Sequence, residues 1–188
     1  NGINSLNASC YLLYENGKVS INQYYEINRT SDNLSEEQLK GKIVELLNDS
    51  IKLRFRSDVP VGTCLSGGFD SSSIVSLSSN LNKESLETFS AVWHEKNCDE
   101  SYYIDIVNLA YGCSPNKVVP DVNKFAEVFE DLCYYQEIPT EGPGLYPQWY
   151  VMKEARKKVK VLLDGQGGDE VFGGYFQMGA YLRGIIKD

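Results

Sequence analysis

The sequence predicts an α/β fold, a parallel sheet flanked by helices and preceded by a β-hairpin, on three observations. Short β-branched runs alternate with helix-period patterns from about residue 36 onward, which is what successive βαβ units produce. Two apolar runs, 61–65 and 159–163, feed directly into glycine-rich loops. Near the start, Asn16-Gly17 separates two strand-like runs, and Asn-Gly tolerates the two positive φ angles of a type I′ turn.

In chain order, residues 9–14 and 19–25 are the expected hairpin strands. A lone hairpin is marginal in water, so this one is expected to complete a sheet supplied elsewhere or to dock on the later part of the chain. Residues 27–34 read as a polar linker. Ser35-Glu36-Glu37-Gln38 matches a capping box, and Leu39, Ile43, Leu46, Leu47, Ile51 and Phe55 come after it at helical spacing, predicting a helix over 36–55. Strands are then expected at 61–65, 88–93, 116–119 and 159–163, and helices at 71–81, 99–111, 123–135 and 146–158.

Composition narrows the function classes. The 188 residues carry 18 Lys+Arg against 26 Asp+Glu, a net charge of −8, which argues against a surface that binds nucleic acid or anionic membrane by charge. With 42% apolar and 23% charged residues the chain can build a core. Five cysteines, Cys10, Cys64, Cys98, Cys113 and Cys133, contain no C-x-x-C pair, so neither a disulfide framework nor a zinc ribbon is suggested. No apolar run approaches the ~20 residues of a membrane-spanning helix, and no leader opens the chain. A soluble, cytoplasmic protein with reduced thiols is expected.

The first glycine loop is Leu65-Ser66-Gly67-Gly68-Phe69-Asp70-Ser71-Ser72. Adjacent glycines let backbone approach a polyanion, hydroxyls donate to its oxygens, and the N-terminus of the next helix adds N–H groups and positive dipole. An acid inside an anion cradle is self-defeating unless a cation stands between, and Mg²⁺ bridging Asp70 to phosphate oxygens resolves the conflict. The loop is not a Walker A sequence, because G-x-x-x-x-G-K-[ST] is absent. The second loop, Asp164-Gly165-Gln166-Gly167-Gly168-Asp169-Glu170, has Glu where a dinucleotide fingerprint needs its third glycine. If the strands before the two loops are neighbours, both loops meet at one crevice, and Asp70 and Asp169 can hold one metal between them.

Together the loops carry a resemblance. Ser66 to Ser72 resembles the pyrophosphate loop of the N-type ATP pyrophosphatases (the PP-loop superfamily), which NAD and GMP synthetases share. Gly165-Gln166-Gly167-Gly168-Asp169-Glu170-x-Phe172-x-Gly174-Tyr175 resembles the second motif of the glutamine-hydrolysing asparagine synthetase family. Tyr24-Tyr25-Glu26-Ile27 is similar to the segment that comes after the family's glutaminase domain, and Asp99-Glu100 to its mid-domain acidic pair. The resemblance implies an adenine nucleotide alpha-hydrolase-like, Rossmann-like fold. It also implies that Ser66, Gly67, Gly68, Ser71 and Ser72 hold the β- and γ-phosphates of ATP, that Asp70 and Asp169 bind Mg²⁺, and that Leu65, Ala91 and Gly165 line the adenosine site. Asp169, Glu170 and Gln166 form the candidate catalytic set. The implied reaction is attack of a carboxylate, aspartate in the family, on the α-phosphate to give an acyl-adenylate and pyrophosphate. Ammonia from glutamine then gives asparagine and AMP.

Three departures qualify that implication. Family asparagine synthetases usually have Glu where Gln166 stands, and an amide cannot act as a general base at neutral pH. No N-terminal cysteine nucleophile is present, since the chain opens Asn1-Gly2. The family's helical sequence after the second motif, with a lysine implied to stabilise adenylation, is represented only by residues 176–188. The expectation is therefore a fragment of a two-domain amidotransferase, inactive or nearly so in isolation. In it, 1–34 is the tail of a missing glutaminase-type domain and 35–188 a PP-loop synthetase domain truncated at its C-terminus. The resemblance allows a homodimer of the parent protein. The alternatives are an amidotransferase acting on another substrate and a nucleotide-binding module without turnover. A tRNA-modifying pyrophosphatase fits the acidic charge and the second motif less well.

Overall fold

The computed structural model describes residues 2–27, 34–81, 85–137, 142, 144–175 and 178–179. The chain forms two compact units, Asn1–Gly41 and Lys42–Asp188.

In the first unit β1 (Cys10–Glu15) pairs antiparallel with β2 (Lys18–Gln23), closing on Glu15 opposite Lys18. Asn16 and Gly17 both have positive φ, 50° and 78°, the signature of the expected type I′ turn. The large apolar side chains of both strands, Leu12 and Ile21 among them, are exposed. All but the ends of the linker expected at 27–34 lies outside the described residues. Helix α1 (Glu36–Arg54) comes next. Its capping box is reciprocal: the Gln38 N–H donates to Ser35 Oγ at 3.3 Å and the Ser35 N–H to Gln38 Oε1 at 2.9 Å.

The second unit holds a four-stranded parallel sheet of β3 (Val61–Cys64), β4 (Glu87–Ala91), β5 (Ser114–Val118) and β6 (Val161–Leu163), in the order β5-β4-β3-β6. The helices are α2 (Phe69–Ser79), α3 (Ser101–Tyr111), α4 (Phe125–Gln136), α5 (Leu145–Ala155) and the short α6 (Gly168–Phe172). A 3-10 turn, Val122–Lys124, leads into α4 with Asp121 accepting from the Asn123 N–H. Among the described residues no helix is long and apolar enough to cross a membrane, and all five cysteines are free.

Alternation along β4 sorts two cores onto the two faces of the sheet. Phe89 and Ala91 pack with Val151, Ala155 and Val159 at α5. On the other face, Thr88 Oγ1 donates to Asn108 Oδ1 of α3 at 2.6 Å, and Leu65, Val75, Leu86, Val92 and Ile104 form the second cluster. Both faces are covered, as parallel sheets require. The chain runs from β3 outward through β4 to β5, then crosses back to place β6 on the free side of β3. The carboxyl ends of β3 and β6 therefore flank a topological switch point, where open α/β sheets bind ligands.

Candidate nucleotide site between the two glycine loops

The loop after β3 is shaped from inside. Leu65 is buried in the core, its N–H donating to Phe89 O at 2.9 Å and its carbonyl accepting from Ser90 Oγ at 2.6 Å. The Ser71 hydroxyl, also buried, accepts from the Ser66 N–H at 3.2 Å, lies 3.0 Å from Ser66 Oγ and donates to Gly68 O at 3.3 Å. Those contacts fold residues 66–71 into a tight bend that leaves Ser66 and Gly68 exposed. Gly67 has φ +85°, and a Cβ there would lie 2.9 Å from Tyr103 Cβ and 3.2 Å from the Ile104 N of α3. Glycine is thus required twice, for a left-handed φ and for the close approach of α3.

The loop after β6 lies against the first. A Cβ on Gly165 would stand 3.1 Å from both Asp70 Cβ and the Ser71 N, and one on Gly168 would stand 2.5 Å from Asp70 Oδ2. The Asp70 carboxylate therefore rests on the backbone immediately before Asp169. Asp169 is half-buried with its carboxylate against Gly174, and its backbone carbonyl accepts from the N–H groups of Gly173 and Gly174 at 2.9 and 3.1 Å. Glu170 Oε1 accepts from Tyr175 OH at 2.6 Å. That bond, with backbone donors in support, holds the Glu170 carboxyl below the ordinary carboxylate range, and the same contact pushes the Tyr175 phenol up.

The expected site residues separate into those brought together and those placed apart. Ser66, Gly67, Gly68, Asp70 and Ser71 share one bend with Gly165 and Gly168 against it. Gln166 is exposed and, with Asp70 and Gly168, lines a cavity of about 430 Å³ whose apolar side is Leu47, Ile51 and Phe172. Ser72 points elsewhere: its hydroxyl is buried without a hydrogen-bond partner among the described residues, and the residue lines a second cavity with Val44 and Leu47 of α1 and Ile106 of α3. Ala91 is half-buried at the end of β4, packed on the α5 side. His94 is an exposed loop residue.

Two further carboxylates near the site, Asp164 of the second loop and Asp99 of the acidic pair, make contacts that the sequence does not announce. Asp164, directly after β6, interacts with Cys64 at the end of β3. Burial first, and then the charge and hydrogen bond of Asp164, push the Cys64 thiol up to about 12. Asp99 joins the end of β4 to the start of α3. The sequence showed Asp164 as a loop residue and Asp99 as one of an acidic pair, but not their contacts, because those partners are tertiary.

The donor set suits Mg²⁺. Among the described residues no group of three or more His, Cys, Asp or Glu side chains could hold a metal alone, and neither Asp70 nor Asp169 is in any of the ion pairs formed there. Two carboxylates in adjoining loops, neither of them in those ion pairs, leave an ion to complete its shell from phosphate and water oxygens, as Mg²⁺ does at nucleotide sites.

The asparagine synthase family model matches residues 42–184. The chain is 33% identical over 174 residues to asparagine synthetase [glutamine-hydrolyzing] 1 of Bacillus subtilis, covering 89% of this chain and 26% of that protein. It is 36% identical over 186 residues to putative asparagine synthetase [glutamine-hydrolyzing] 2 of Methanocaldococcus jannaschii, covering 97% and 35%. A putative asparagine synthetase [glutamine-hydrolyzing] of Mycobacterium bovis is 35% identical over 146 residues, covering 78% and 22%. The chain thus spans about a quarter to a third of the length of these curated relatives. Among solved structures, an NH3-dependent NAD synthetase from Campylobacter jejuni aligns with a TM-score of 0.46 at 12% identity, covering 76% of this chain and 61% of that one, a likeness too loose to argue from. On the family match over residues 42–184 and identities above 30% along most of its length, the chain belongs to the asparagine synthase family.

Proposed function

We propose that the chain carries the ATP site of an amide-forming synthetase that adenylates a carboxylate, aspartate being the first candidate, and then amidates it. The observation that carries this reading is the seating of the Asp70 carboxylate on Gly168, which makes the two glycine loops one site beside Asp169. Ser66, Gly67, Gly68 and the α2 N-terminus present donors to the β- and γ-phosphates. Ser71 holds the bend that aims them, and Ser72 is assigned to the phosphates on the resemblance alone. Leu65, Ala91 and Gly165 are assigned to the adenosine end on the same ground. Asp70 and Asp169 would hold Mg²⁺, which when bound neutralises phosphate charge and lets two acids face a polyanion.

In the reaction a substrate carboxylate oxygen forms a bond to the α-phosphorus as the bond to pyrophosphate breaks. Ammonia then attacks the acyl carbon, AMP leaves, and the amine loses a proton. This chain contributes positioning and charge neutralisation to the first step. Gln166, exposed beside Asp70, supplies amide donors and an acceptor but no base, and this favours a second reading in which an acceptor other than ammonia is used. Residues 1–34 are read as the end of a glutaminase-type domain that delivers ammonia, in a cytoplasmic parent for which the resemblance allows a homodimer.

The test is ATP–pyrophosphate exchange by the protein carrying this chain, with aspartate and a panel of other carboxylates, beside Mg·ATP binding. Carboxylate-dependent exchange is expected. Asp70→Asn should weaken Mg·ATP more than metal-free ATP, because Asp70 is assigned to the ion and not to the base. Absence of exchange with every carboxylate, alongside intact ATP binding, would leave a nucleotide-binding module and overturn the synthetase reading.

A further inference from the structure

We propose that Asp99 is a positioning residue of the nucleotide site, its carboxylate tying the end of β4 to the first turn of α3, the wall against which the pyrophosphate loop is set. The inference rests on the proposed nucleotide site. Three donors converge on Asp99 Oδ1: the Ser101 hydroxyl at 2.6 Å, the Ser101 N–H at 3.2 Å and the Trp93 N–H at 3.2 Å. Two of the three tie Asp99 to Ser101, the first residue of α3. The third comes from outside α3, two residues beyond Ala91, and makes the carboxylate a strap between two elements. The Ser101 hydroxyl first, then the Trp93 N–H, hold the Asp99 carboxyl below the usual range, so the acceptor is ionised at neutral pH and the contacts are charge-assisted.

The strap bears on the site through Gly67. The first turn of α3 approaches Gly67 so closely that a Cβ there would collide with Tyr103 Cβ and crowd the Ile104 N. Ile104 is fully buried in the cluster that holds Leu65, the last residue before the loop. Fixing the start of α3 fixes the surface on which residues 66–68 lie, and fixing Trp93 holds the end of the strand that carries Ala91. One carboxylate thereby sets the spacing between the phosphate cradle and the strand end assigned to adenosine, touching neither.

The experiment compares wild type, Asp99→Ala and Asp99→Asn in the full 188-residue chain, by calorimetric Mg·ATP affinity and by hydrogen exchange of the 66–72 amides without nucleotide. Asp99→Ala should weaken Mg·ATP about tenfold, the order typical of groups that orient a binding shell without touching the ligand. It should also speed exchange in 66–72 while the β3 amides stay protected. Asp99→Asn, which keeps an acceptor oxygen, should recover most of both. Wild-type affinity and unchanged exchange in Asp99→Ala would overturn the proposal, as would exchange rising equally across β3 and β4, the pattern of general destabilisation. Should Asp99→Ala not fold, Ser101→Ala removes the 2.6 Å contact, and the same pattern at smaller amplitude is expected; no change there is equally fatal. If wild type itself does not bind Mg·ATP, the nucleotide reading falls. Binding by wild type that Asp99→Ala leaves intact removes only this inference.

Discussion

At Gln166 the proposed synthetase reading turns on one side chain. The carbonyl and amide of glutamine accept and donate hydrogen bonds but take no proton at neutral pH. If ammonia is the nucleophile, Gln166→Glu supplies a base, and general-base assistance contributes about 10²–10⁴-fold. The opposing effect is repulsion, since a third carboxylate would join Asp169 and Glu170. Gln166 is exposed, so solvent screens the new charge and the repulsion is the smaller effect. Ammonia-dependent amide formation by the Gln166→Glu protein, scored as AMP and pyrophosphate release, is therefore expected to persist or rise. A fall in both that turnover and Mg·ATP affinity would tell against ammonia at this position and favour an acceptor held by the amide.

Elements show where local sequence dictates structure and where the tertiary fold overrides it. The Asn16-Gly17 turn and the Ser35–Gln38 capping box were legible because their chemistry is contained within a few residues. Ser35→Ala, which removes the hydroxyl that accepts the Gln38 N–H, is expected to destabilise the chain by about 0.5–2 kcal/mol in a denaturant titration; no loss would mean that α1 is held by packing alone. Strand β5 was less legible. The strand was expected from 116, yet β5 begins at Ser114 and contains Pro115, whose missing N–H is tolerated because β5 is the sheet's edge. At β6 the strand was expected from 159, but the Val159 N–H closes the end of α5 on Ala155 O and the ladder begins at Val161. The short α6 had no periodic pattern to announce it. Asp70 and Gly168 were legible as loop residues, while Asp99, seen only as one of an acidic pair, and Asp164, seen only as a loop residue, gave no sign of what they would touch, because their partners are tertiary.

The whole molecule makes the site a product of the complete sheet. Its two loops come after β3 and β6, which are neighbours in space although the first strand begins at residue 61 and the second at 161. Between them the chain builds β4, β5 and the helices of both faces before returning to β3. Neither loop can be completed early, because the backing of Gly165 on Asp70 exists only after β6 has docked. A ligand that bridges the loops binds the folded sheet and not the unfolded chain, so its binding energy is added to the stability of the sheet, about 2.7 kcal/mol at a free concentration of 100 Kd. Mg·ATP is therefore expected to raise the unfolding midpoint and to slow hydrogen exchange in 66–72 and 165–168 together. Chelating the metal should remove part of the protection in both loops, because Asp70 lies within the first and Asp169 borders the second. Protection confined to 66–72 at saturating Mg·ATP would mean that the second loop takes no part in nucleotide binding, and the one-site architecture would fail.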